Sequence, residues 1–247
     1  MKKIILAAAA AIAMFSLSSC KMVTIRITDP DMFNDYDITE RSEDLSGFDR
    51  IASYGAYDVV FTQADAYSVR IEADEKTLGI LDVYVSGDQL VLRTKDNKRI
   101  TRDVKVFVEA PVLRGLTVNG ASEFDADRIT TEGDFDMRVN GAGDIDIKNL
   151  SCKVFSLDVN GAADVELGAL QCENVTVGVN GAGDVDLEGL AVKGDVSIRV
   201  AGAADLKLAG KAGSVSYDLA GAASVNAKAL DAPVVSKRTA GMASVKD

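Results

Sequence analysis

Apolar and polar residues alternate in short runs over the second half of the chain, and the runs recur around one four-residue phrase. The phrase first appears as Val118-Asn119-Gly120-Ala121 and returns six times in variants, with its glycines separated by 21, 20, 20, 21, 19 and 20 residues. A fixed period near twenty residues is typical of a solenoid, because each repeat forms one unit that stacks on its neighbours. The pattern therefore predicts a repetitive fold from residue 118 onward.

On both sides of the phrase, apolar residues occupy every second position, which is the period of a strand with one buried face. Alignment of the copies gives apolar rows that define three walls, with no helical pattern between them. The rows contain Phe135, Phe155, Val175, Val196, Val215 and Val235; Phe124, Ile145, Val165, Val185, Leu206, Val225 and Val245; and Ile129, Leu150, Leu170, Leu190 and Leu230. We therefore predict an all-β fold, a parallel β-helix (a solenoid) with about 20 residues per coil.

In a parallel β-helix each residue lies about 4.8 Å from its equivalent in the next coil, so equal positions form rows. The glycine of the phrase permits a backbone corner that a side chain would forbid. The residues before the first four glycines are predicted to form a ladder of hydrogen-bonded amides along this corner. They are Asn119, Asn140, Asn160 and Asn180. A ligand-binding role for these asparagines is the alternative.

Nine carboxylates fall in two outward rows after the corner. The first acidic row contains Glu123, Asp144, Asp164, Asp184 and Asp205, and the second contains Asp125, Asp146, Glu166 and Asp186. Neighbouring carboxylates repel by about 1 kcal/mol even in water, so the strip either binds ions or a partner, or is a solvated face that prevents lateral aggregation. Our candidates for a ligand or partner face are Asp144, Asp164, Asp184, Asp205, Asp146 and Asp186. Weak Ca²⁺ binding is an alternative, although one sheet face rarely completes a calcium coordination shell.

Arginine and aspartate alternate along a row two residues before the corner. The row contains Arg138, Asp158, Gly178, Arg199, Asp218 and Arg238. This alternation favours a ladder of ion pairs, and the active site of a carbohydrate-active enzyme is the alternative reading. The chain has no histidine for acid–base catalysis and no tryptophan for stacking on sugars. We therefore expect no enzymatic activity, no catalytic residue, no metal site and no cofactor.

Cys152 and Cys172 occupy equivalent positions in successive coils. Their Cα atoms are expected about 5 Å apart, which is within the range for a disulfide, and an exported protein can be oxidised. Because the row is apolar, we favour buried free thiols over a disulfide.

The first twenty residues have the order of an export signal. Lys2 and Lys3 precede an apolar run from residue 4 to residue 15, which is too short to span a bilayer. Leu17-Ser18-Ser19-Cys20 follows and resembles a bacterial lipobox, whose cysteine is acylated and becomes the first residue of the mature chain. Residues 1–19 are therefore predicted to be a lipoprotein signal peptide, with Cys20 as the lipidated membrane anchor.

The chain between the anchor and the repeats divides into two parts. Residues 20–44 carry seven carboxylates and little apolar periodicity, which predicts an acidic tether after the lipidated cysteine. Residues 45–117 contain Gly55-Ala56-Tyr57-Asp58-Val59, which resembles the repeat phrase, and are predicted to form irregular coils that cap the β-helix. The regular repeats then occupy residues 118–247, with Lys237 facing inward on the last coil. Within the cap, strands are predicted at 67–72, 81–85, 90–94 and 104–108, with a hairpin turn at Ser86-Gly87-Asp88.

Several of these motifs occur together in one known family. The lipobox, the Gly55 phrase, Asn-Gly-Ala-Gly-Asp-Ile-Asp at 140–146 and Asn-Gly-Ala-Gly-Asp-Val-Asp at 180–186 resemble the family called "putative auto-transporter adhesin, head GIN domain". The resemblance covers about residues 45–245. It implies a single-stranded right-handed β-helix in a cell-envelope protein without assigned catalysis, and it implies no functional residue.

Charge and the export signal narrow the possible partners. With 27 basic and 38 acidic residues the net charge is -11, so we expect no nucleic-acid partner. We expect a membrane-anchored lipoprotein of the cell envelope, in the outer membrane, that acts as a non-catalytic adhesin-like binding or structural module. Its expected partners are the membrane, through the lipid anchor, and an envelope protein or glycan. The alternatives are a carbohydrate-active enzyme that uses the Arg/Asp row and a calcium-stabilised envelope scaffold.

Overall fold

The computed structural model describes residues 38–247, and its strands belong to one continuous sheet. The strands are β1 (Ile38–Glu43), β2 (Arg50–Gln63), β3 (Ser68–Asp74), β4 (Leu81–Ser86), β5 (Gln89–Thr94), β6 (Lys105–Ala110), β7 (Gly115–Ala126), β8 (Ile129–Thr130), β9 (Phe135–Ser151), β10 (Val154–Cys172), β11 (Asn174–Val192), β12 (Asp195–Lys211), β13 (Ser214–Asp231), β14 (Val235–Gly241) and β15 (Ser244–Lys246). Helix α1 (Glu75–Ile80) and a 3-10 turn (Lys95–Asn97) are short, and no helix within residues 38–247 could cross a membrane. The predicted signal peptide and Cys20 lie outside the described residues. Residues 38–247 are 76% strand and 4% helix, in a parallel β-solenoid of about 7 turns with ~20 residues per turn, which confirms the predicted fold class.

Each regular coil is one long strand that bends at the glycine corner and then continues. Strand β10 contains 19 residues and pairs in parallel with β9 on one side and β11 on the other. The register follows the predicted rows, with Phe155 opposite Phe135 and Val175. Equivalent residues of successive repeats are therefore direct neighbours in the sheet, and the twenty-residue period of the sequence is the register of the strands.

Alternate residues of every coil point into one continuous core. Phe135 stacks on Phe155, and Phe61 stacks on Phe124, with ring centroids 6.4 Å apart in both pairs. All four rings are buried. Full burial of such a side chain stabilises the fold by about 1.5–3 kcal/mol, so the stacked rows hold the narrow coils together.

The N-terminal region caps the solenoid with antiparallel strands. One side of β2 pairs in parallel with β7, while the other side pairs with β5 over its first half and with β6 over its second half. Strand β3 lies antiparallel between β1 and β6, and the β4–β5 hairpin turns at Gly87, whose φ is +63°. The predicted hairpin and the four predicted strands are confirmed, with bounds that differ by two residues at most. The observed strands are Ser68–Asp74, Leu81–Ser86, Gln89–Thr94 and Lys105–Ala110.

Two elements of this cap differ from the sequence-based expectation. Strand β1 occupies the last part of the segment predicted to be a tether, and it pairs with β3 from Ile38 to Glu43. Helix α1 has no counterpart in the apolar pattern. It begins after Asp74, whose Oδ1 accepts a hydrogen bond from the backbone N–H of Thr77 at 3.1 Å, and it buries Leu78. A helix of six residues depends on such a local cap and on tertiary packing, so periodicity does not reveal it.

The last coil forms an open end of the described solenoid. Strands β14 and β15 pair with β13 on one side, and Val235 is 44% exposed in a row that is buried in the preceding coils. Lys237 lies opposite Tyr217 in the inward row and forms an ion pair with Asp247. Burial and the nearby Asp247 carboxylate raise the pKa of Tyr217 to about 12. An inward charge on an end strand disfavours the addition of a further strand.

Candidate functional site

The corner glycines are required by close contact between successive coils. From Gly120 to Gly221 the corner φ angles lie between +105° and +157°, a region that residues with side chains rarely adopt. A Cβ atom on Gly141 would lie 2.2 Å from the carbonyl oxygen of Gly120, and one on Gly161 would lie 2.1 Å from that of Gly141. Glycine at each corner thus lets one backbone rest directly on the next.

Outward positions around the corner repeat in the order Asn, Ala, Asp, as in Asn140, Ala142 and Asp144. The pairing register brings the equal positions of all coils side by side. The alanines form a strip that we call the alanine floor, with the asparagine row along one side and the first acidic row along the other. The floor consists of Ala56, Ala121, Ala142, Ala162, Ala182, Ala203 and Ala222.

The predicted amide ladder is confirmed. The Nδ2 atom of Asn140 donates to Oδ1 of Asn119 at 3.0 Å, Asn160 donates to Asn140 at 3.2 Å, and Asn180 donates to Asn160 at 3.3 Å. An amide carries two N–H donors and an oxygen with two lone pairs, so each interior rung keeps one donor and one acceptor site for solvent or a ligand. The ladder therefore supports the corner and also presents a regular polar edge.

A groove of about 1070 Å³ runs along the alanine floor. The first acidic row forms its edge, and Arg102 and Asp103 line it at the N-terminal end. The edge carboxylates belong to Asp58, Glu123, Asp144, Asp164, Asp184 and Asp205. Four of the six candidate face residues thus line one groove. The other two, Asp146 and Asp186, lie in the second acidic row and do not line it.

The residues that line this groove lie in the part of the chain that matches a protein-family model. The family model described as "Putative auto-transporter adhesin, head GIN domain" matches residues 47–202 and 169–246. This chain belongs to that family. Membership places the chain among adhesin-like proteins, and it points to a cell-surface or envelope location and to a non-enzymatic role.

Solved structures share the fold of this head GIN domain. A putative adhesin from Bacteroides fragilis is 17% identical, with a TM-score of 0.73 over 86% of this chain and 97% of the other. A putative lipid binding protein from Parabacteroides distasonis is 18% identical, with a TM-score of 0.71 over 84% and 95% of the two chains. A putative adhesin from Parabacteroides merdae is 14% identical, with a TM-score of 0.62 over 84% and 95%. No curated protein matches the chain.

The second acidic row of the head GIN domain is only partly neutralised. Lys207 replaces the carboxylate in the fifth coil, and its Nζ lies 2.9 Å from Asp186 Oδ2 and 3.1 Å from Glu188 Oε1. At the other end Asp125 lies directly opposite Asp146. Partial burial, together with the negative charges of Asp58 and Asp146, raises the pKa of Asp125. Mutual repulsion in the strip is therefore strongest near its N-terminal end.

Replacement of Asp125 by asparagine should stabilise the protein at neutral pH by about 0.5 kcal/mol, because it removes a like-charge contact between neighbouring strands. The pKa of Asp125 is higher in the folded than in the unfolded state, so the folded state binds more protons between the two values. Ionised Asp125 lowers the free energy of unfolding above the raised pKa, and this destabilisation disappears as the pH falls through that pKa. The Asp125→Asn variant should lose this gain of stability on acidification, as measured by urea unfolding at a series of pH values.

Asp127→Asn is the matched control, because the stability that Asp127 contributes should change with pH in the opposite direction. Lys148 Nζ donates to Asp127 Oδ1 at 2.6 Å, and this hydrogen bond lowers the pKa of Asp127. The stability that Asp127 contributes is therefore lost as the pH falls through the folded-state pKa of Asp127. Equal pH dependence of the two variants would contradict our account of the acidic strip.

The calcium alternative finds no support in the described residues. Within residues 38–247 no three Asp, Glu or Cys side chains converge in a way that could hold a metal ion. Each coil contributes its carboxylates to the same face of one sheet, whereas Ca²⁺ requires six to eight oxygen ligands around it.

The Arg/Asp row lies where the sequence places it but is loosely paired. Arg138, Asp158 and Gly178 are adjacent in the register, and Arg138 Nε lies 4.0 Å from Asp158 Oδ2 with both side chains about half exposed. An exposed pair of this kind contributes between about 0 and 1 kcal/mol. The row is therefore a weak surface ladder, and its members do not line the groove.

Cys152 and Cys172 are free, buried and in contact, as expected for thiols in an apolar row. A hydrogen bond with the Cys172 side chain and burial raise the pKa of the Cys152 thiol. Cys152 therefore stays protonated, and both buried side chains act in packing.

Sequence reasoning missed residues at the N-terminal end of the site. Asp58 pairs in register with Glu123 and begins the first acidic row. The Gly55 phrase contains the signal for this, because Asp58 stands three residues after its glycine, as Asp144 stands after Gly141. The exposed Tyr54 and the basic segment after β5 lie beside the same corner, and no repeat marks them.

Proposed function

We propose that this chain is a non-catalytic, adhesin-like binding module, held at the outer membrane by acylated Cys20, that binds an envelope protein or glycan along the alanine floor. One observation carries the binding role. The groove of about 1070 Å³ presents the same edge of alanine and carboxylate over successive coils. Such an edge suits a long partner, because every coil adds an equivalent contact. Membership of the adhesin-like family supports the same role.

The repetition also argues against the carbohydrate-active alternative. Catalysis requires chemically different groups that converge on one reacting atom. The groove instead offers one carboxylate per coil, and the Arg/Asp row, in which Arg138 Nε lies 4.0 Å from Asp158 Oδ2, is exposed and does not line the groove. These features favour recognition over chemistry.

The anchor is supported by the order of charge, apolar run and Leu-Ser-Ser-Cys at residues 1–20. Each buried methylene of an acyl chain contributes about 0.8 kcal/mol, so two or more chains on Cys20 would hold the protein stably. Strand β1 starts at Ile38, so the first described strand begins eighteen residues after Cys20 in the chain.

The proposal is tested in native cells with two kinds of variant. For the anchor, wild-type protein should incorporate labelled fatty acid and sediment with outer membranes, whereas Cys20→Ala should do neither and Cys152→Ala should do both. Label retained by Cys20→Ala refutes the anchor. For the groove, a photoreactive amino acid at Ala162 should give discrete adducts with envelope components, whereas the same residue at the exposed Lys211, outside the groove, should not. Equal adducts at both positions refute the binding face.

Charge neutralisation in the groove provides the matched comparison. Asp164→Asn with Asp184→Asn should reduce the adducts at Ala162, because it removes two edge carboxylates that would contact the partner. Asp158→Asn with Asp218→Asn removes the same charge from exposed positions outside the groove and should leave the adducts unchanged. If both pairs act alike, net charge and not the groove determines binding.

A further inference from the structure

A second pocket, of about 430 Å³, adjoins the N-terminal end of the groove. It lies over the first two corners, between Tyr54 of β2 and the segment 97–100 after β5. Ala56 and Ala121 line both this pocket and the groove, so the two spaces meet on the alanine floor. We call it the Tyr54 pocket.

The Tyr54 pocket has the opposite charge to the groove. Seven of the residues that line the groove are acidic, whereas the lining of the Tyr54 pocket contains Lys98 and Arg99 and no carboxylate. Both basic side chains are exposed. Lys148 and Lys207 each contact a carboxylate, but within residues 38–247 neither Lys98 nor Arg99 has one within ion-pair distance. In a chain with a net charge of -11, these two side chains form a local positive patch.

The basic segment is held in shape before any ligand arrives. Thr94 Oγ1 donates to the carbonyl oxygen of Lys98 at 2.7 Å, and Lys95 Nζ donates to the carbonyl oxygen of Gly79 at 2.9 Å. Asp96 and Asn97 have φ angles of +55° and +52°, a left-handed conformation that non-glycine residues adopt at a cost of about 1–3 kcal/mol each. A preformed wall loses little conformational entropy on binding.

Tyr54 supplies an aromatic surface beside these charges. It is 47% exposed, and it stands at the head of the asparagine row because it pairs in register with Asn119. An exposed tyrosine offers a flat apolar face and a polar tip, which suits the apolar face and hydroxyl edge of a sugar ring. The alanine floor then continues from the pocket along the carboxylates of the first acidic row.

We propose that the Tyr54 pocket binds the terminal carboxylated sugar of a glycan whose remaining sugars are neutral and extend along the alanine floor. Tyr54 stacks on the acidic sugar, and Lys98 and Arg99 bind its carboxylate, the guanidinium through paired N–H donors. Ligand hydroxyls along the floor donate hydrogen bonds to the edge carboxylates. This inference rests on the proposed binding role and names the class of its partner.

The charge pattern restricts the ligand to one negative group. A carboxylate in the Tyr54 pocket meets two cations, but each further carboxylate along the floor faces an acidic edge residue such as Asp144 or Asp164. Like charges repel one another when they are closer together than the screening length of physiological salt, which is about 8 Å. A polymer with a carboxylate on every ring is therefore disfavoured.

The test uses the full chain in detergent and measures binding by isothermal titration calorimetry. Sialyllactose has one terminal carboxylate and should bind about tenfold more tightly than lactose, which lacks the charge-assisted hydrogen bonds. Trigalacturonate, with a carboxylate on each ring, should bind about tenfold more weakly than sialyllactose because of the acidic edge. Equal affinity for sialyllactose and lactose, or tighter binding of trigalacturonate, would overturn the proposal.

Variants assign the binding to this pocket. Lys98→Gln with Arg99→Gln should remove the preference for sialyllactose over lactose, and Tyr54→Ala should weaken the binding of sialyllactose by about tenfold. Lys193→Gln with Lys211→Gln removes the same charge at exposed positions outside both spaces and should leave all affinities unchanged. If Lys193→Gln with Lys211→Gln changes the affinities as much as Lys98→Gln with Arg99→Gln does, the assignment of binding to the Tyr54 pocket is wrong.

The same variants separate this inference from the proposed function. If Lys98→Gln with Arg99→Gln loses sialyllactose but keeps the adducts at Ala162, the pocket binds the acidic sugar and the groove binds its partner through other contacts. If wild-type protein binds no sialyllactose yet gives adducts at Ala162, the inference fails and the binding role stands.

Discussion

Gly161→Ala should prevent cooperative folding or lower the free energy of unfolding by more than about 4 kcal/mol, which is exceptional for one methyl group. The reason is steric. The new Cβ would lie 2.1 Å from the carbonyl oxygen of Gly141, and the φ of +154° is one that alanine rarely adopts. Because the obstructing atom belongs to the backbone of the neighbouring coil, no side-chain rotation relieves the contact.

Gly79→Ala is the matched control for this substitution. Gly79 lies in α1, and a Cβ there meets no heavy atom within 4 Å. Alanine is favoured over glycine in a helix by about 1 kcal/mol, so this variant should melt at the same temperature or higher. Thermal unfolding followed by circular dichroism compares the two. A similar melting temperature for Gly161→Ala and wild-type protein would refute the contact at the corner.

Phe155→Ala should destabilise the protein by about 3–5 kcal/mol through the cavity that it leaves. Phe155 is fully buried, and its ring stacks on Phe135 with an interplanar angle of 24°. The neighbouring coils cannot collapse into the space, because each coil is fixed by backbone pairing on both sides. Urea denaturation gives the free energy directly.

The same row provides a control for that cavity. Val235 is the equivalent residue of the last coil and is 44% exposed, so Val235→Ala should cost about 1 kcal/mol or less. Comparable losses at the two positions would mean that the row does not form one buried core.

Where the chain repeats, its sequence is sufficient to predict contacts. Aligning the copies on the glycine places Asn140 beside Asn119 and Asn160, and the structure has hydrogen bonds at these contacts. The reason is physical: in a parallel solenoid a residue's neighbour in the next coil is its own counterpart. Row membership, burial and the groove-lining positions Asp144 to Asp205 all follow from one alignment.

Where the chain does not repeat, a residue has no counterpart in the next coil, so alignment of the repeats predicts none of its contacts. Helix α1 depends on the side chain of Asp74, and β1 joins the sheet through antiparallel pairing with β3, which has no periodic counterpart. The Tyr54 pocket combines β2 with a segment more than forty residues later in the chain. Only the fold of the cap brings Tyr54 and Arg99 to one corner, so neither residue stands out in the sequence.

The stacking of equal coils also has a consequence for how the gene can change. Each coil contacts only its two neighbours, so an in-frame duplication or deletion of one unit of about twenty codons would lengthen or shorten the groove by about 4.8 Å and leave both ends intact. The phrases around Gly141, Gly161 and Gly181 are nearly identical, so the loss or gain of one unit between them would keep the register of the strands. In this architecture the length of the groove can change in whole steps, independently of the residues at either end.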